Sequence, residues 1–157
     1  MHLPSLAVFN TVKLDRIGNV GAGEDTLLQL WVPPSILRND GDCLFIHATV
    51  ALAANANAKI SRFYVATTTI QGRSGTDNNS IHDMRAYCYR RGPTSLWTIA
   101  LLANLTTATQ IVEQNDITID LENPIEIKIT GEGVEDGDLT SRVLRYAYIP
   151  ANSNFDF

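Results

Sequence analysis

The sequence predicts an all-β domain, a sandwich or barrel of about eight antiparallel strands. Three observations carry that expectation. Apolar residues recur at a period of two in several segments, turn residues punctuate the chain between them, and no long segment holds a clear helical stripe. The sharpest alternation lies at 125–130, where Ile125, Ile127 and Ile129 interleave with Glu126, Lys128 and Thr130.

Taken in order, residues 6–14 are rich in Val, Phe and Thr and form the first expected strand. The Gly-rich run 17–23 connects it to a second strand at 24–32. That strand stops at Pro33-Pro34, where two successive residues lack a ladder donor. Residues 35–38 have room for one helical turn before the Asn39-Asp40-Gly41-Asp42 turn. Strands follow at 43–53 and 59–69, with Asn55-Ala56-Asn57 turning between them. A polar loop is expected at 71–79, a strand at 81–90 and a break at Gly92-Pro93.

At 95–114 a helix competes with a strand, since good helix formers recur there. Trp97, Ile99, Leu101, Ala103 and Leu105 fit alternation better than Leu96, Ile99 and Leu102 fit a helical stripe, so 96–105 is read as strand. Residues 116–121 read as a short strand or bridge, 131–137 as a loop, and 141–149 as the closing strand before Pro150. In that last strand Tyr146 and Tyr148 lie on the opposite parity to Val143, Ala147 and Ile149. The sequence leaves open which set faces the core.

A single domain over residues 1–157 is expected, with short flexible termini at about 1–5 and 151–157. A chain of this length buries roughly two-thirds of its unfolded surface without staples. Charged residues make up 18% of the chain and the net charge is −5, which argues against nucleic acid as a partner. Arg85, Arg90 and Arg91 form a local exception, read as solvating a strand edge. Cys43 and Cys88 are too few for a disulfide framework and fit reduced thiols in a reducing cytoplasm. The opening residues lack a basic n-region and a sustained apolar stretch, so no secretory signal is expected. The longest apolar run, 96–105, is far short of the ~20 residues that span a bilayer, and no membrane partner is expected.

The most informative stretch is 43–52. Leu44, Ile46, Ala48, Val50 and Leu52 share one strand face and suit a core. The other face carries Cys43, Phe45, His47, Thr49 and Ala51, with no formal charge unless His47 is protonated. An uncharged outer strand face promotes association. The sheet is therefore expected to be covered on both sides, by its own core and by a partner.

Motifs for chemistry fail one by one. Gly18-Asn-Val-Gly-Ala-Gly23 looks like a phosphate loop, but Glu24-Asp25 would repel an anion and a strand follows where a helix is needed. Four carboxylates crowd 132–138 without the ligand spacing of a calcium loop, so a solvated hairpin is favoured. His2, His47 and His82 are far apart. His82 with Asp83 and Asp77 would need a distant serine to build a triad, and nothing resembles a nucleophile elbow. A non-enzymatic protein without cofactor or metal is expected.

The turn segments carry a resemblance. Asn-Asp-Gly-Asp42, then Ala54-Asn-Ala-Asn-Ala-Lys59 before Ile-Ser-Arg-Phe-Tyr-Val, and finally Ile-Thr130-Gly-Glu-Gly with Gly-Asp138-Leu-Thr-Ser-Arg-Val-Leu and Ile149-Pro resemble a family of bacteriophage structural proteins. The resemblance covers roughly residues 24–150. Glu132 stands where the family has a small or hydroxyl residue, and the loop at 72–80 is long and polar. The resemblance implies a trimeric jelly-roll β-sandwich, similar to tumour-necrosis-factor-like trimers, carried on a virion assembled in the host bacterial cytoplasm. It supplies no catalytic residues.

In such a trimer one sheet buries its outer side against neighbours. Phe45, His47 and Thr49 on one strand, with Ala100 and Leu102 on another, are the expected interface residues. Two functions follow. One is a capsid decoration (cement) protein whose partners are itself and the major capsid protein or other virion proteins. The other is a tail spike, fibre or baseplate module that binds a host glycan or receptor. Exposed aromatics gathered on one groove would favour the second.

Overall fold

The computed structural model describes residues 10–152. Ten strands run through them: β1 (Asn10–Lys13), β2 (Glu24–Val32), β3 (Cys43–Leu52), β4 (Lys59–Val65), β5 (Thr68–Gly75), β6 (Ile81–Gly92), β7 (Ser95–Asn104), β8 (Thr109–Thr118), β9 (Ile125–Glu132) and β10 (Leu139–Ile149). There is no helix among the described residues. Sheet A has the order β1-β10-β3-β6-β7-β8 and sheet B the order β2-β9-β4-β5. Every pairing is antiparallel. With the β7–β8 hairpin set aside, two four-stranded sheets remain in which the first strand lies near the last and the chain repeatedly crosses between layers. That order is a jelly roll, and β7–β8 extends one of its sheets.

The core lies between the layers. Sheet A contributes Leu44, Ile46, Ala48, Val50, Met84, Ala86, Leu96, Leu144 and Tyr146, and sheet B answers with Leu28, Val32, Phe63, Val65, Ile70, Ile125, Ile127 and Ile129, all buried. The β3 parity expected from sequence holds. In β10, Leu144 and Tyr146 face the core, with Tyr148 packed against it, while Val143, Ala147 and Ile149 take the outer parity. A bulge between Ser141 and Val143 resets the alternation, which is why Ser141 is also buried. Both cysteines are free and buried, and burial pushes the Cys43 thiol up to about 12.

Several expectations need correction. The run 59–69 is not one strand but most of a hairpin, turning at Ala66, whose φ is +52°. Its Thr67-Thr68-Thr69 sequence has strong strand propensity and no Gly, Pro or Asn to mark the turn. The first half of the polar loop at 71–79 accordingly belongs to β5. The region 95–114 is neither a helix nor a single strand: β7 turns at 105–108 into β8, which absorbs residues 116–118. Residues 35–38 form no helical turn, and Ser35 has a φ of +56°. Residues 1–9, including His2 and the start of the first expected strand, and 153–157 lie outside the described residues.

Candidate functional site

Strand register sets out the outer face of sheet A in rows. One row reads Ala147, Phe45, Tyr87, Ile99 and Gln114. The next towards the β6–β7 turn reads Ile149, Cys43, Tyr89, Trp97 and Asp116. In the opposite direction lie Arg145, His47, Arg85, Leu101 and Val112, then Val143, Thr49, Asp83, Ala103 and Gln110. Phe45 and Tyr87 have ring centroids 5.1 Å apart, Tyr87 and Tyr89 6.4 Å, and Tyr89 and Trp97 5.8 Å. These four rings form a continuous aromatic strip over three strands. Tyr87 is 41% exposed, and the other three are at least half covered.

The charges on this face are few and satisfy one another. Arg145 Nε donates to His47 Nδ1 at 3.1 Å, so the ring proton sits on Nε2, which lies 2.6 Å from Asp83 Oδ1. Arg85 reaches the other oxygen of Asp83 at 3.2 Å. Arg91 lies over the Trp97 ring, 4.8 Å from its centroid, and 3.2 Å from Asp116. The face is thus apolar and aromatic with a self-paired polar stripe.

Phe45, His47 and Thr49 lie on this outer face, as expected. Ala100 and Leu102 do not. They are fully buried in the core, opposite Ala86 and Met84, and the outward residues of β7 are one position away at Ile99 and Leu101. The sequence reading also missed Tyr87, Tyr89 and Trp97 as a group. The signal was available in β6, where Tyr87, Tyr89 and Arg91 alternate with Ala86, Cys88 and Arg90.

The outer face of sheet B is different. Arg62 lies 2.9 Å from Glu132 and 3.2 Å from Glu24, whose carboxylate also accepts from Tyr64 and Thr130 hydroxyls. Lys128 lies over the Tyr64 ring at 5.1 Å. A shallow groove of about 430 Å³ runs beside this network between Arg62, Arg73, Ser74 and Glu113. Trp31 is the exception, 56% exposed on the edge strand.

The turn segments that carry the phage resemblance form two buried pins at opposite ends of the sandwich. At one end Asp138 accepts from the side chains of Asn55 and Asn57 and from the Val134 and Glu135 amides. Burial opposes ionisation of Asp138, and these hydrogen bonds overcome it, holding the carboxyl at about 2. Lys59 is buried beside them, its ammonium donating to the carbonyls of Asn55, Asn57 and Asp77. Gly133 has no room for a side chain: a Cβ there would sit 2.6 Å from Asp138 Cβ. At the other end Asp42 is fully buried and accepts from the Arg38, Asn39 and Ala151 amides. Burial again works against its charge, and the amides reverse the balance and lower its pKa. In the acidic loop Asp136 accepts from Gly21 N, so these carboxylates tie backbone together.

The arrangement that the sequence reading discounted, His82 with Asp77 and a distant serine, does come together, while Asp83 pairs with His47 instead. Ser61 Oγ lies 2.8 Å from His82 Nδ1, and His82 Nε2 lies 3.1 Å from Asp77 Oδ2, with Arg73 Nε 2.8 Å from the same carboxylate oxygen. Sequence named Asp77 and His82 but not Ser61, which comes from β4 across the sandwich. Ser61 is 0% exposed and His82 1%, so no substrate reaches the hydroxyl from solvent. Burial lowers the pKa of His82, and the nearby Asp77 only partly offsets this. Arg73, then His82, holds Asp77 down to about 2 against burial. The trio is a neutral-histidine hydrogen-bond chain that ties the 76–80 connection to β4.

No family model and no curated protein matches the chain. Among solved structures, the VP2 subviral particle of infectious bursal disease virus is similar at 13% identity and a TM-score of 0.38, covering 95% of this chain and 34% of that one. The chain therefore spans about a third of that VP2 chain. Lectin UEA-II complexed with galactose is similar at 11% identity and a TM-score of 0.39, covering 91% of this chain and 98% of the lectin. The CBM2 module of the Lactobacillus casei BL23 phage J-1 evolved Dit has 10% identity and a TM-score of 0.39, covering 82% of this chain and 70% of the module.

Proposed function

We propose that this chain is a non-enzymatic virion structural protein that assembles as a homotrimer and decorates the outside of a phage capsid as a cement protein. One observation carries the reading: the outer face of sheet A is apolar and aromatic, and no element among the described residues covers it. An area of this kind on a monomer marks an interaction surface. The buried pins at Asp42 and Asp138 support it further, because they place the residues that resemble phage structural proteins at the loops that shape a jelly roll. The Ser61–His82–Asp77 chain is sealed from solvent, which favours a structural role for it. Many symmetry-related sites would give each trimer multivalent contact, so modest single-site affinity could hold the lattice.

A second reading is favoured by a specific feature. The strip of Phe45, Tyr87, Tyr89 and Trp97, flanked by Arg85 and Arg91, offers flat apolar rings beside polar groups, as sugar binding requires. In this reading the protein recognises a host glycan from a tail spike, fibre or baseplate.

One experiment separates the two. Purified protein is added to capsids that lack it, with glycan-array binding in parallel, and the particles are challenged by heat or low ionic strength. Cement predicts capsid binding and better survival. Equal survival with and without the protein, together with glycan binding, overturns it in favour of recognition.

A further inference from the structure

We infer that the groove along β5 is a binding site for one neutral sugar unit, with Glu113 and Ser74 as its free polar contacts and Arg62 and Arg73 as fixed donors. None of the four rings of the aromatic strip lines it. It is therefore a separate site, and it stands under either function proposed above.

The groove follows from sheets of unequal width. Sheet A has six strands and sheet B four, so the inner side of β8 meets the edge of sheet B at β5. Two side-chain amides lace these strands together. Gln71 Nε2 donates to the Ile111 carbonyl at 3.1 Å, and Asn115 Nδ2 donates to the Ile70 carbonyl at 3.2 Å. Glu113 lies between those ties, on the inner parity of β8 opposite Ala100. It is exposed there and has no hydrogen bond or ion pair among the described residues. Two arginines line the same groove and neither pairs with it, so its carboxylate is unspent acceptor capacity.

The arginines are held but not used up. Arg62 gives Nη1 to Glu24 and Glu132, and Arg73 gives Nε and Nη2 to Asp77. Each guanidinium keeps further N–H groups without a partner among the described residues, and its carboxylates fix where they point. Ser74 is exposed beside Ile60, its cross-strand neighbour, and Gly72 adds no side chain next to Arg62. The volume, about 430 Å³, falls in the roughly 300–1,000 Å³ range of small-ligand sites.

Charge selects the ligand. Around Arg62 and Arg73 stand the carboxylates of Glu24, Glu132, Asp77 and Glu113. An anion would meet that excess of negative charge, and a cation would sit against two guanidinium groups. Adjacent hydroxyls of a sugar ring avoid both costs. They donate to Glu113 and accept from the arginines and Ser74, while ring C–H groups rest on Ile60.

Nuclear magnetic resonance titration of the isotope-labelled full chain tests the site. The probes are the methyl glycosides of glucose, galactose and mannose, with glucuronic acid and glucosamine as charged counterparts. At least one neutral glycoside is expected to shift the Gly72, Ser74 and Glu113 amides and leave those of Tyr87 and Tyr89 in place. Glu113→Ala and Ser74→Ala, both at exposed positions and checked for folding by their spectra, are expected to weaken that binding, the first at least tenfold. Tyr87→Ala is expected to leave it unchanged. Groove shifts with glucuronic acid alone, or with glucosamine alone, overturn the neutral ligand in favour of an anion or a cation. Shifts confined to Tyr87 and Tyr89 overturn the groove while supporting glycan recognition at the strip. No shift with any probe, or undiminished binding by Glu113→Ala, overturns the site and leaves both proposed functions standing.

Discussion

The two outer faces of this sandwich are built alike and finished differently. Both belong to antiparallel sheets whose inner residues make one core, so alternation exposes every second side chain on each. On sheet B those side chains are Glu24, Arg62, Lys128, Glu126 and Glu132, paired at the surface. On sheet A they are Phe45, Tyr87, Tyr89, Trp97, Ile99 and Leu101, and the polar groups that remain are tied to one another. For a sandwich alone in water the two faces are equivalent, and nothing in folding requires them to differ. The asymmetry accords with the assembly proposed above, in which sheet B would meet solvent and sheet A a partner.

The largest effect expected from breaking this contrast is Phe45→Asp. An unpaired charge in a desolvated interface costs several kcal/mol, so the variant should dissociate the proposed trimer. Because the residue faces outward, the monomer should keep its melting temperature within a few degrees. Sedimentation and thermal melts read the two separately. A variant that unfolds instead places Phe45 in the monomer core and breaks the comparison.

Next in size is the response to acid, which belongs to neither face. Asp138 and Asp77, held at about 2, contribute stability above the ordinary carboxylate range that disappears as pH falls towards 2. Each is worth about 2 kcal/mol, from a difference of nearly two units at ~1.4 kcal/mol per unit. His82 has a lowered pKa, so the unfolded chain binds its proton first, and stability begins to fall as pH drops below ~6.5. Denaturant midpoints at pH 7, 5 and 3 should therefore fall in two stages, and Asp138→Asn should flatten the lower one. A pH-independent midpoint contradicts the buried pins.

The smallest effect is expected on sheet B. Arg62→Ala removes the partner of Glu24 and Glu132, an exposed network worth roughly 1 kcal/mol or less. It should leave the sedimentation of the protein unchanged. Loss of assembly there would move the interface to the other sheet.

How much was legible in the sequence follows from how different the two sides of each strand are. In β3 the inner Leu, Ile and Val positions contrast with His47 and Thr49, and the parity was readable. In β7 both sides are apolar, from Leu96 to Ala103, so alternation could not choose between them, and Ala100 and Leu102 were assigned one residue out of phase. Most of β8 is exposed and polar and leaves no periodic signal, which hid all of the strand but its end at 116–118. The β4–β5 turn was invisible because Ala66 takes a left-handed conformation without a residue that advertises it. The pins read as turn chemistry, and they are. What sequence could not give is that Asn55, Asn57 and Asp138, more than eighty residues apart, meet in one buried network.

The mass of the assembled protein tests the central claim most directly. Sedimentation equilibrium of the full chain at micromolar concentration is predicted to give three times the 17.3 kDa of one chain. A single species of 17.3 kDa, unchanged as concentration rises a hundredfold, would leave the aromatic face of sheet A open to water and contradict the account.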